Sequence, residues 1–261
     1  MNCESILLTT TQVSTFSGTA LLSRATGFFF SRDNRLYCIT NRHIVIDEAA
    51  GHQPDQIQIM LHTNRDNVTQ TIEFAIPLYD ANGGRRWREA SDTSGLVDVV
   101  ALQLKPEEFP EGAIYYAFDH NHLPKDMARI EVGESIRIIG FPLSFKDTLH
   151  GLPVMRHAII ASSFSLRFQG QGYFLTDSLL HRGSSGSPVV MRTSKAQSGR
   201  TGFPWRLLGI HSSRLDVSNR DVMEDERLNL FTAWYSDVLT VLTEDGANET
   251  AEMERVAVDC D

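Results

Sequence analysis

The sequence predicts an all-β protein built from two antiparallel β-barrels. Short runs rich in β-branched and aromatic residues alternate with turn-forming residues along most of the chain, which is typical of hairpins. Up to six such runs precede an irregular stretch that contains Pro110 and Pro124, and six follow it. Two sets of strands on either side of a connection favour two six-stranded barrels.

The strand candidates are apolar runs bounded by turns. Residues 236–242 combine a serine cap, an acidic residue in the first turn and apolar spacing, so they predict one short closing helix at the C-terminal end of the second barrel. The strand candidates span residues 19–23, 27–30, 36–40, 56–61, 71–78 and 97–104 in the first half, and residues 135–141, 153–162, 173–176, 188–191, 206–211 and 228–235 in the second.

These boundaries divide the chain into four parts. Residues 1–115 are expected to form the N-terminal barrel, 116–130 the connection, 131–243 the C-terminal barrel with its helix, and 244–261 an acidic, disordered tail. Within the first part, the polar stretch 80–95 is expected to be a solvated loop.

Metal binding is not predicted. His120 and His122 stand close together in the connection, but no further ligands follow at a suitable spacing, so both are expected on the surface. No cofactor is predicted either.

Composition and charge limit the classes of partner. The chain has 261 residues, 41% of them hydrophobic and 22% charged, as in an ordinary globular protein. Its net charge is −9, but seven acidic residues and one arginine after position 243 contribute −6 of it. The rest is only mildly acidic, so a nucleic-acid partner is not expected, and without a run of 18 apolar residues neither is a membrane span.

The expected compartment is the cytoplasm. Residues 1–25 lack the basic and apolar segments of a secretory signal. Cys3, Cys38 and Cys260 do not form a disulfide framework, which agrees with a reducing environment.

The stretch from Gly183 to Pro188, with the sequence GSSGSP, is the first candidate for chemistry. A serine between glycines can occupy a tight turn, with its hydroxyl exposed and neighbouring N–H groups converging on one point, as an acyl-transfer nucleophile requires. The same residues also fit an ordinary turn between strands. A serine nucleophile needs a histidine base, itself oriented by a carboxylate.

His43 and Asp98 are candidates for these two roles. His43 follows the apolar strand 36–40, at a strand end where its side chain can face a cleft. Asp98 interrupts the apolar run 96–102, so its carboxylate is expected to be buried and to have partners. Taken singly, each residue also fits a purely structural role.

Taken together, three segments resemble the chymotrypsin-like serine peptidases. They are Cys38 to His43 (CITNRH), Asp98 to Leu102 (DVVAL) and Gly183 to Pro188, in the order histidine, aspartate, serine. Residues 132–142 and 208–212 resemble strands that flank the active site in that family. The resemblance covers residues 18–243 and is nearest in motif style to bacterial Deg-type proteases and glutamyl endopeptidases.

The resemblance implies a chymotrypsin-like double barrel with the active site in the cleft between the barrels. His43 would accept the proton of Ser185, and Asp98 would hold the imidazole. The oxyanion hole would lie in the loop of Gly183, Ser184 and Ser185, with the N–H groups of Gly183 and Ser185 as donors. Digestive family members carry an aspartate where this chain has Ser184, so activation by a freed N-terminus is not expected.

The resemblance also places a substrate pocket for the residue before the scissile bond, lined by Leu180, His211 and Ser212. Glutamyl endopeptidases have a histidine at the position of His211, but they usually have Thr or Ser where this chain has Leu180. A preference for Glu or Gln and a medium-sized apolar pocket therefore both remain open.

The expected function is that of a serine endopeptidase with a polypeptide substrate, either with a narrow target or activated by a partner protein. No peptide-binding domain of the kind that Deg-type proteases append is expected after residue 243. The alternative is a catalytically silent relative that binds peptides or acts as a scaffold. An α/β-hydrolase is disfavoured because its G-x-S-x-G elbow precedes the acid and the histidine in the chain.

Overall fold

A computed structural model describes residues 3–178, 181–193, 203–214 and 229–245, with the backbone alone for residues 213 and 214. Two β-sheets, one from each half of the chain, make up almost all of its regular structure. No helix in these ranges is both long and apolar enough to cross a membrane.

The first half forms one large sheet. Its path is β5-β4-β1-β2-β3-β7-β6, and a short strand, β8, pairs in parallel with β2. A single helical turn, α1 (Arg42–Val45), follows β3. The strands are β1 (Thr10–Ser17), β2 (Ala20–Arg32), β3 (Arg35–Thr40), β4 (Gln56–His62), β5 (Thr71–Pro77), β6 (Trp87–Asp92), β7 (Gly95–Leu104) and β8 (Phe118–Asp119).

The second half forms a closed barrel of six antiparallel strands, in the order β10-β11-β14-β13-β12-β9. A short helix, α2 (Val238–Leu242), follows the last strand and packs against β6 and β7 of the first half. The strands are β9 (Ser135–Gly140), β10 (Val154–Ile160), β11 (Tyr173–Asp177), β12 (Pro188–Arg192), β13 (Trp205–Arg214) and β14 (Leu230–Tyr235).

The predicted all-β, chymotrypsin-like class is confirmed, with one difference in the first half. Its two end strands, β5 and β6, do not pair with each other. The connection between them holds an isolated bridge between Tyr79 and Arg85 and a hydrogen bond from Arg86 N to Leu78 O at 2.9 Å, and the Asp80 carboxylate accepts two backbone N–H groups of this turn. The first sheet is therefore strongly curved but not closed.

Three strands, β1, β6 and β8, were not expected from the sequence, and the runs 19–23 and 27–30, expected as separate strands, belong to the single strand β2. The Thr- and Ser-rich segment Thr10–Ser17 is strand β1 and is largely buried, because neighbouring strands satisfy its hydroxyls; Thr11 Oγ1, for example, donates to Met60 O at 2.8 Å. The stretch 80–95 was wrongly expected to be solvated throughout, since Trp87 is buried and its Nε1 donates to Glu89 at 2.9 Å.

One apolar cluster joins the two halves and fixes their relative position. It packs Phe28 and Ile39 of the first sheet against Ile139 and Val190 of the barrel, with Leu239 of α2 at its edge. All five side chains are fully buried. Since interiors are close-packed, this shared core makes the groups at the junction of the two sheets geometrically well defined.

Candidate active site

His43 lies where β3 gives way to the helical turn α1. Asn41, fully buried between them, donates from Nδ2 to the backbone oxygen of Asp98 at 2.7 Å, which ties the end of β3 to β7. The N–H groups in the first turn of a helix lack intrahelical partners. At this turn the His43 N–H donates to Asp98 Oδ1 at 2.9 Å.

The Asp98 carboxylate holds His43 a second time, through the ring. His43 Nδ1 donates to Asp98 Oδ2 at 2.8 Å, which places the proton on Nδ1 and leaves the Nε2 lone pair available in the neutral ring. Ser212 Oγ donates to the same Oδ2 at 2.5 Å. Asp98 therefore has the partners expected for it, although its side chain is 26% exposed and not fully buried.

Two opposing influences act on the protonation of His43. Burial of the ring is the largest single influence on the His43 pKa and disfavours the imidazolium, but the hydrogen bond that the ring donates to Asp98 and the charges of Asp98 and Asp47 together outweigh it. The pKa of His43 is therefore raised above its ordinary value of 6.5.

Ser185 lies in a loop that is fixed to both sheets. The Thr26 N–H donates to Ser185 O at 2.9 Å, and Thr26 Oγ1 donates to Gly183 O at 2.8 Å. On the barrel side, Gly186 N donates to His211 O at 2.9 Å. Ser185 itself is partly exposed, so its hydroxyl can be reached from solvent.

The glycines of this loop are required by its geometry. Gly183 has φ +91° and Gly186 has φ +83°, in the region that residues with a Cβ rarely adopt. A Cβ on Gly183 would lie 2.6 Å from Phe141 O, and one on Gly186 would overlap the carbonyl oxygen of Thr26. Close approach of the loop to β2 and to the end of β9 therefore depends on both glycines.

The backbone N–H groups of the loop differ in whether they have acceptors. Ser184 N donates to His181 O at 3.2 Å, so this group is already used. Among the described residues, the N–H groups of Gly183 and Ser185 have no acceptor. These two groups, and not that of Ser184, are left to bind an oxyanion.

Ser185 and Asp98 are connected through adjacent residues of β13. His211 binds the Ser185 loop through its backbone, and the next residue, Ser212, binds Asp98 through its hydroxyl. Within the described residues, however, no hydrogen bond joins Ser185 Oγ to the His43 ring. The sequence reasoning placed Ser212 in a substrate pocket and did not identify this contact.

His211 is buried beside the loop, with 2% of its surface exposed. Burial, with a smaller effect from His43, lowers the pKa of His211 to about 3, so the ring is neutral at physiological pH. Its Nδ1 is buried without a hydrogen-bond partner among the described residues, and the ring lies 5.3 Å from that of Phe231. Leu180, the third residue predicted for this pocket, lies outside the described residues, as do residues 246–261 of the tail.

Of the two histidines of the connection, His120 is exposed as expected, whereas His122 does not lie on the surface, because its side chain is only 11% exposed and packs against Phe118 and Phe203. His122 Nδ1 accepts the Asp119 N–H at 2.9 Å, while Asp119 Oδ1 accepts Asn121 N, which caps a short 3₁₀ turn. In the described part of the chain, no group of three or more His, Cys, Asp or Glu side chains is arranged to hold a metal ion.

The fold is chymotrypsin-like, with His43 and Asp98 contributed by the first sheet and Ser185 by the barrel. The family model described as the trypsin-like peptidase domain matches residues 25–196, and the chain belongs to this family. A search of curated proteins finds no significant match.

Two solved structures are similar to this chain, and the first of them agrees with it in fold. The HtrA-type protease AlgW, solved with a tripeptide, is 15% identical, with a TM-score of 0.50 and coverage of 90% of this chain and 59% of that one. The serine endoprotease from Yersinia pestis is also 15% identical, with a TM-score of 0.48 and coverage of 90% and 61%. The chain spans about three fifths of the length of these proteins, and at this identity the likeness is one of fold.

Proposed function

We propose that the protein is a serine endopeptidase that hydrolyses peptide bonds through an acyl-enzyme, with His43, Asp98 and Ser185 as its catalytic residues. The observation that carries the proposal is the double attachment of His43 to Asp98, through the backbone N–H and through Nδ1. This attachment selects the tautomer whose Nε2 can act as a general base. Membership of the trypsin-like peptidase family supports the same reaction.

In the first half of the reaction, Ser185 Oγ attacks the peptide carbonyl carbon and its proton passes to His43 Nε2. The negative charge that develops on the carbonyl oxygen would be bound by the N–H groups of Gly183 and Ser185, which have no other acceptor among the described residues. Removing one such donor typically costs about 10²- to 10³-fold in turnover. Asp98 would stabilise the imidazolium that forms.

In the second half, the imidazolium returns its proton to the leaving amine as the C–N bond breaks. A water molecule then loses a proton to His43 Nε2 and attacks the acyl-enzyme. The proton returns to Ser185 Oγ when the carboxylic acid product departs. The cycle is balanced without a cofactor, because His43 gives up each proton that it accepts.

Ser184 bears on how the oxyanion loop is held. Its side chain is fully buried, its Oγ has no hydrogen-bond partner among the described residues, and it carries no charge that could pair with a freed N-terminus. Thr26 and His211 hold the loop instead. We therefore expect the intact chain to be as competent as a proteolytically matured form; activity in the matured form alone would contradict this.

His211, Ser212 and Leu180 remain the proposed pocket for the residue before the scissile bond. A neutral, buried His211 can donate or accept one hydrogen bond, which suits Glu or Gln, whereas an apolar pocket needs no such group. Cleavage-site profiling with a proteome-derived peptide library separates the two. A preference for Arg or Lys would contradict both.

The decisive experiment compares wild type with Ser185→Ala, using a fluorophosphonate probe and a diverse peptide library. We expect wild type to be labelled and to cleave peptides, and Ser185→Ala to do neither. Ser94→Ala, in an exposed turn, is the matched control and should behave like wild type. Cleavage by Ser185→Ala at the wild-type rate would contradict the assignment.

The second candidate is a catalytically silent module that binds peptides. It is favoured by one observation, the missing hydrogen bond between Ser185 Oγ and His43 among the described residues. Catalytic hydrogen bonds are often long in free enzymes and shorten when substrate binds, so this observation is compatible with either candidate. A folded wild-type protein that no fluorophosphonate labels would favour the silent module.

We further propose a cytoplasmic location and a narrow target or a partner-dependent activity. Support comes from the sequence alone, in the small number of cysteines. Fractionation of the source cells with an antibody to the protein tests the location. Rapid digestion of many unrelated folded proteins by the purified chain would contradict the narrow target.

A further inference from the structure

A groove of about 300 Å³ begins at the oxyanion loop and runs along strand β2. Gly183 of the oxyanion loop and the leucines Leu21, Leu22 and Leu143 are among the residues that line it. These side chains are 41%, 43% and 67% exposed, which is unusual for leucines gathered in one place. The groove therefore offers an apolar surface directly beside Ser185.

A β-bulge brings two adjacent leucines into the same groove. Along β2, Ser23 pairs with Thr15 and Leu21 pairs with Phe16, so Leu22 is an extra residue without a partner in β1. In a regular strand, neighbouring side chains point to opposite faces. A bulge interrupts that alternation, and bulges are frequent next to active sites because they redirect side chains.

Two unpaired cations line the same groove as the leucines. Arg24 is two residues from Thr26, which binds Ser185, and Arg182 directly precedes Gly183. Both side chains are exposed, and within the described residues neither makes an ion pair or a hydrogen bond. By contrast, Arg42 and Arg85 on the first sheet are both paired with glutamates.

The backbone of β2 is open along this groove. Thr26 N donates to Ser185 O, and Thr26 O accepts from Thr40 Oγ1, so both groups point away from β1. The two-residue repeat of an antiparallel strand gives Arg24 N–H and C=O the same direction. Among the described strands, β3 flanks β2 on this side and pairs only with its residues from Phe28 onward, so an extended peptide can add at Arg24.

The groove lies on the leaving-group side of the proposed nucleophile. At one end of the Ser185 loop, Gly186 N donates a hydrogen bond to His211 O. At the other end, Gly183 lines the groove. If the residue before the scissile bond occupies the pocket of His211, the residues after that bond extend past Gly183 toward Arg24.

We infer that this groove selects substrates with an acidic side chain on the leaving-group side of the scissile bond, bound by Arg24 and Arg182 over the leucine surface. The inference rests on the proposed peptidase function and specifies its substrate class. The leucines contact the aliphatic stem of the acidic residue and exclude water from one side of the ion pair. An exposed ion pair gives about a two- to fivefold effect for each arginine.

The test uses internally quenched peptides that share one sequence before the scissile bond and carry Glu, Gln or Lys at the first three positions after it. For wild type, kcat/KM should be highest for Glu and lowest for Lys, and the difference should shrink as ionic strength rises. Arg24→Glu and Arg182→Glu should each abolish most of the preference for Glu, the two changes together should reverse the order toward Lys, and Arg24→Lys should retain it. The control is Arg65→Glu, an exposed arginine outside the groove, which should leave the order unchanged.

Two outcomes overturn the inference. One is equal cleavage of the Glu and Lys peptides by wild type, and the other is a preference for Glu that survives Arg24→Glu and Arg182→Glu together. Failure of the proposed function is distinguishable from both, because a protein that is not a peptidase would cleave none of the peptides and would not react with a fluorophosphonate at Ser185.

Discussion

The backbone N–H of Thr26, in the first sheet, donates a hydrogen bond to the carbonyl oxygen of Ser185, in the second, at 2.9 Å. The Thr26 hydroxyl extends this link, since Oγ1 donates to Gly183 O at 2.8 Å and accepts the N–H of Phe141 at 3.1 Å. One threonine thus fixes the nucleophile loop and the end of β9 to β2. The junction of the two sheets, and not the loop alone, determines where Ser185 lies.

Replacing Thr26 with valine should therefore loosen this junction. The shapes of the two side chains are nearly equal, but valine leaves the buried Phe141 N–H without an acceptor and Gly183 O without its donor. An unsatisfied buried polar group costs about 1–3 kcal/mol, so we expect Thr26→Val to lower the free energy of unfolding by that amount and peptide hydrolysis with it. Thr26→Ser, which keeps the hydroxyl, is the matched control. Urea denaturation measures the free energy of unfolding, and kcat/KM measures the activity. Equal values for the two variants would contradict the role given to Thr26 Oγ1.

Replacing Asp98 with asparagine should change both the rate and its pH dependence. The base is neutral His43, so activity falls as the pH drops through the His43 pKa, which lies above 6.5 because Asp98, with a smaller contribution from Asp47, outweighs the opposing effect of burial. Asp98→Asn removes that charge, so the midpoint of the acid limb of kcat/KM should move to lower pH. The rate itself should fall by about 10³- to 10⁴-fold.

The matched control for this change is Asp47→Asn, because the charge of Asp47 also raises the His43 pKa but is the last of its influences. We expect a smaller downward shift of the midpoint and a rate within a few fold of wild type. If the acid midpoint of the Asp98→Asn profile coincides with that of wild type, a group other than His43 controls the acid limb of kcat/KM.

Replacing Gly186 with alanine should disrupt the nucleophile loop. Gly186 has φ +83°, and a Cβ there would overlap the backbone oxygen of Thr26, which cannot move without disturbing β2. Gly133→Ala separates the effect of the positive φ from that of the steric clash, because Gly133 has φ +86° but nothing within 4 Å of its Cβ position. Gly133→Ala should cost only about 1–2 kcal/mol of stability, whereas Gly186→Ala should cost more and abolish fluorophosphonate labelling. Similar melting temperatures for the two variants would contradict a steric clash at Gly186.

The large-scale organisation of the protein could be predicted from its sequence, because the residues that specify each strand lie within the strand and in the turns that bound it. Apolar runs such as that of β3 and β9 are bounded by turn residues, and the strands formed close to the predicted limits. His43 and Asp98 were identifiable because each polar residue adjoins or interrupts an apolar strand. Their hydrogen bonds follow from the pairing of β3 with β7.

What could not be predicted depends on partners that are distant in the sequence. Strand β1 looks polar, and its burial becomes favourable only when Met60 and Ser23 accept or share its hydroxyl hydrogen bonds. Thr26 lies 157 residues from Gly183, so nothing local indicates its contact with the nucleophile loop. The Ser212 hydroxyl donates to Asp98 across the junction of the two halves, a contact that its proposed place in the substrate pocket does not indicate.

Replacing His211 with phenylalanine should change how stability depends on pH. In the folded protein burial lowers the His211 pKa to about 3, whereas in the unfolded chain it takes its ordinary value of 6.5. Below pH 6.5 the unfolded chain therefore binds a proton that the folded protein does not, so the contribution of neutral His211 is complete above pH 6.5 and is lost as the pH falls toward 3. Between pH 7 and pH 5 this amounts to about 2 kcal/mol.

His211→Phe removes the titrating group while keeping a planar ring beside Phe231. Between pH 7 and pH 5, the free energy of unfolding of wild type should therefore decrease by about 2 kcal/mol more than that of the variant. The slope with pH, and not the absolute stability, is the quantity to compare, because the ring change also alters packing. His120→Phe, at an exposed site, is the control and should follow the wild-type slope. Chemical denaturation at half-unit pH steps measures all three proteins. Parallel curves for wild type and His211→Phe would mean that water or a neighbouring group stabilises the charged His211 ring. His211 would then not be held neutral beside the nucleophile loop.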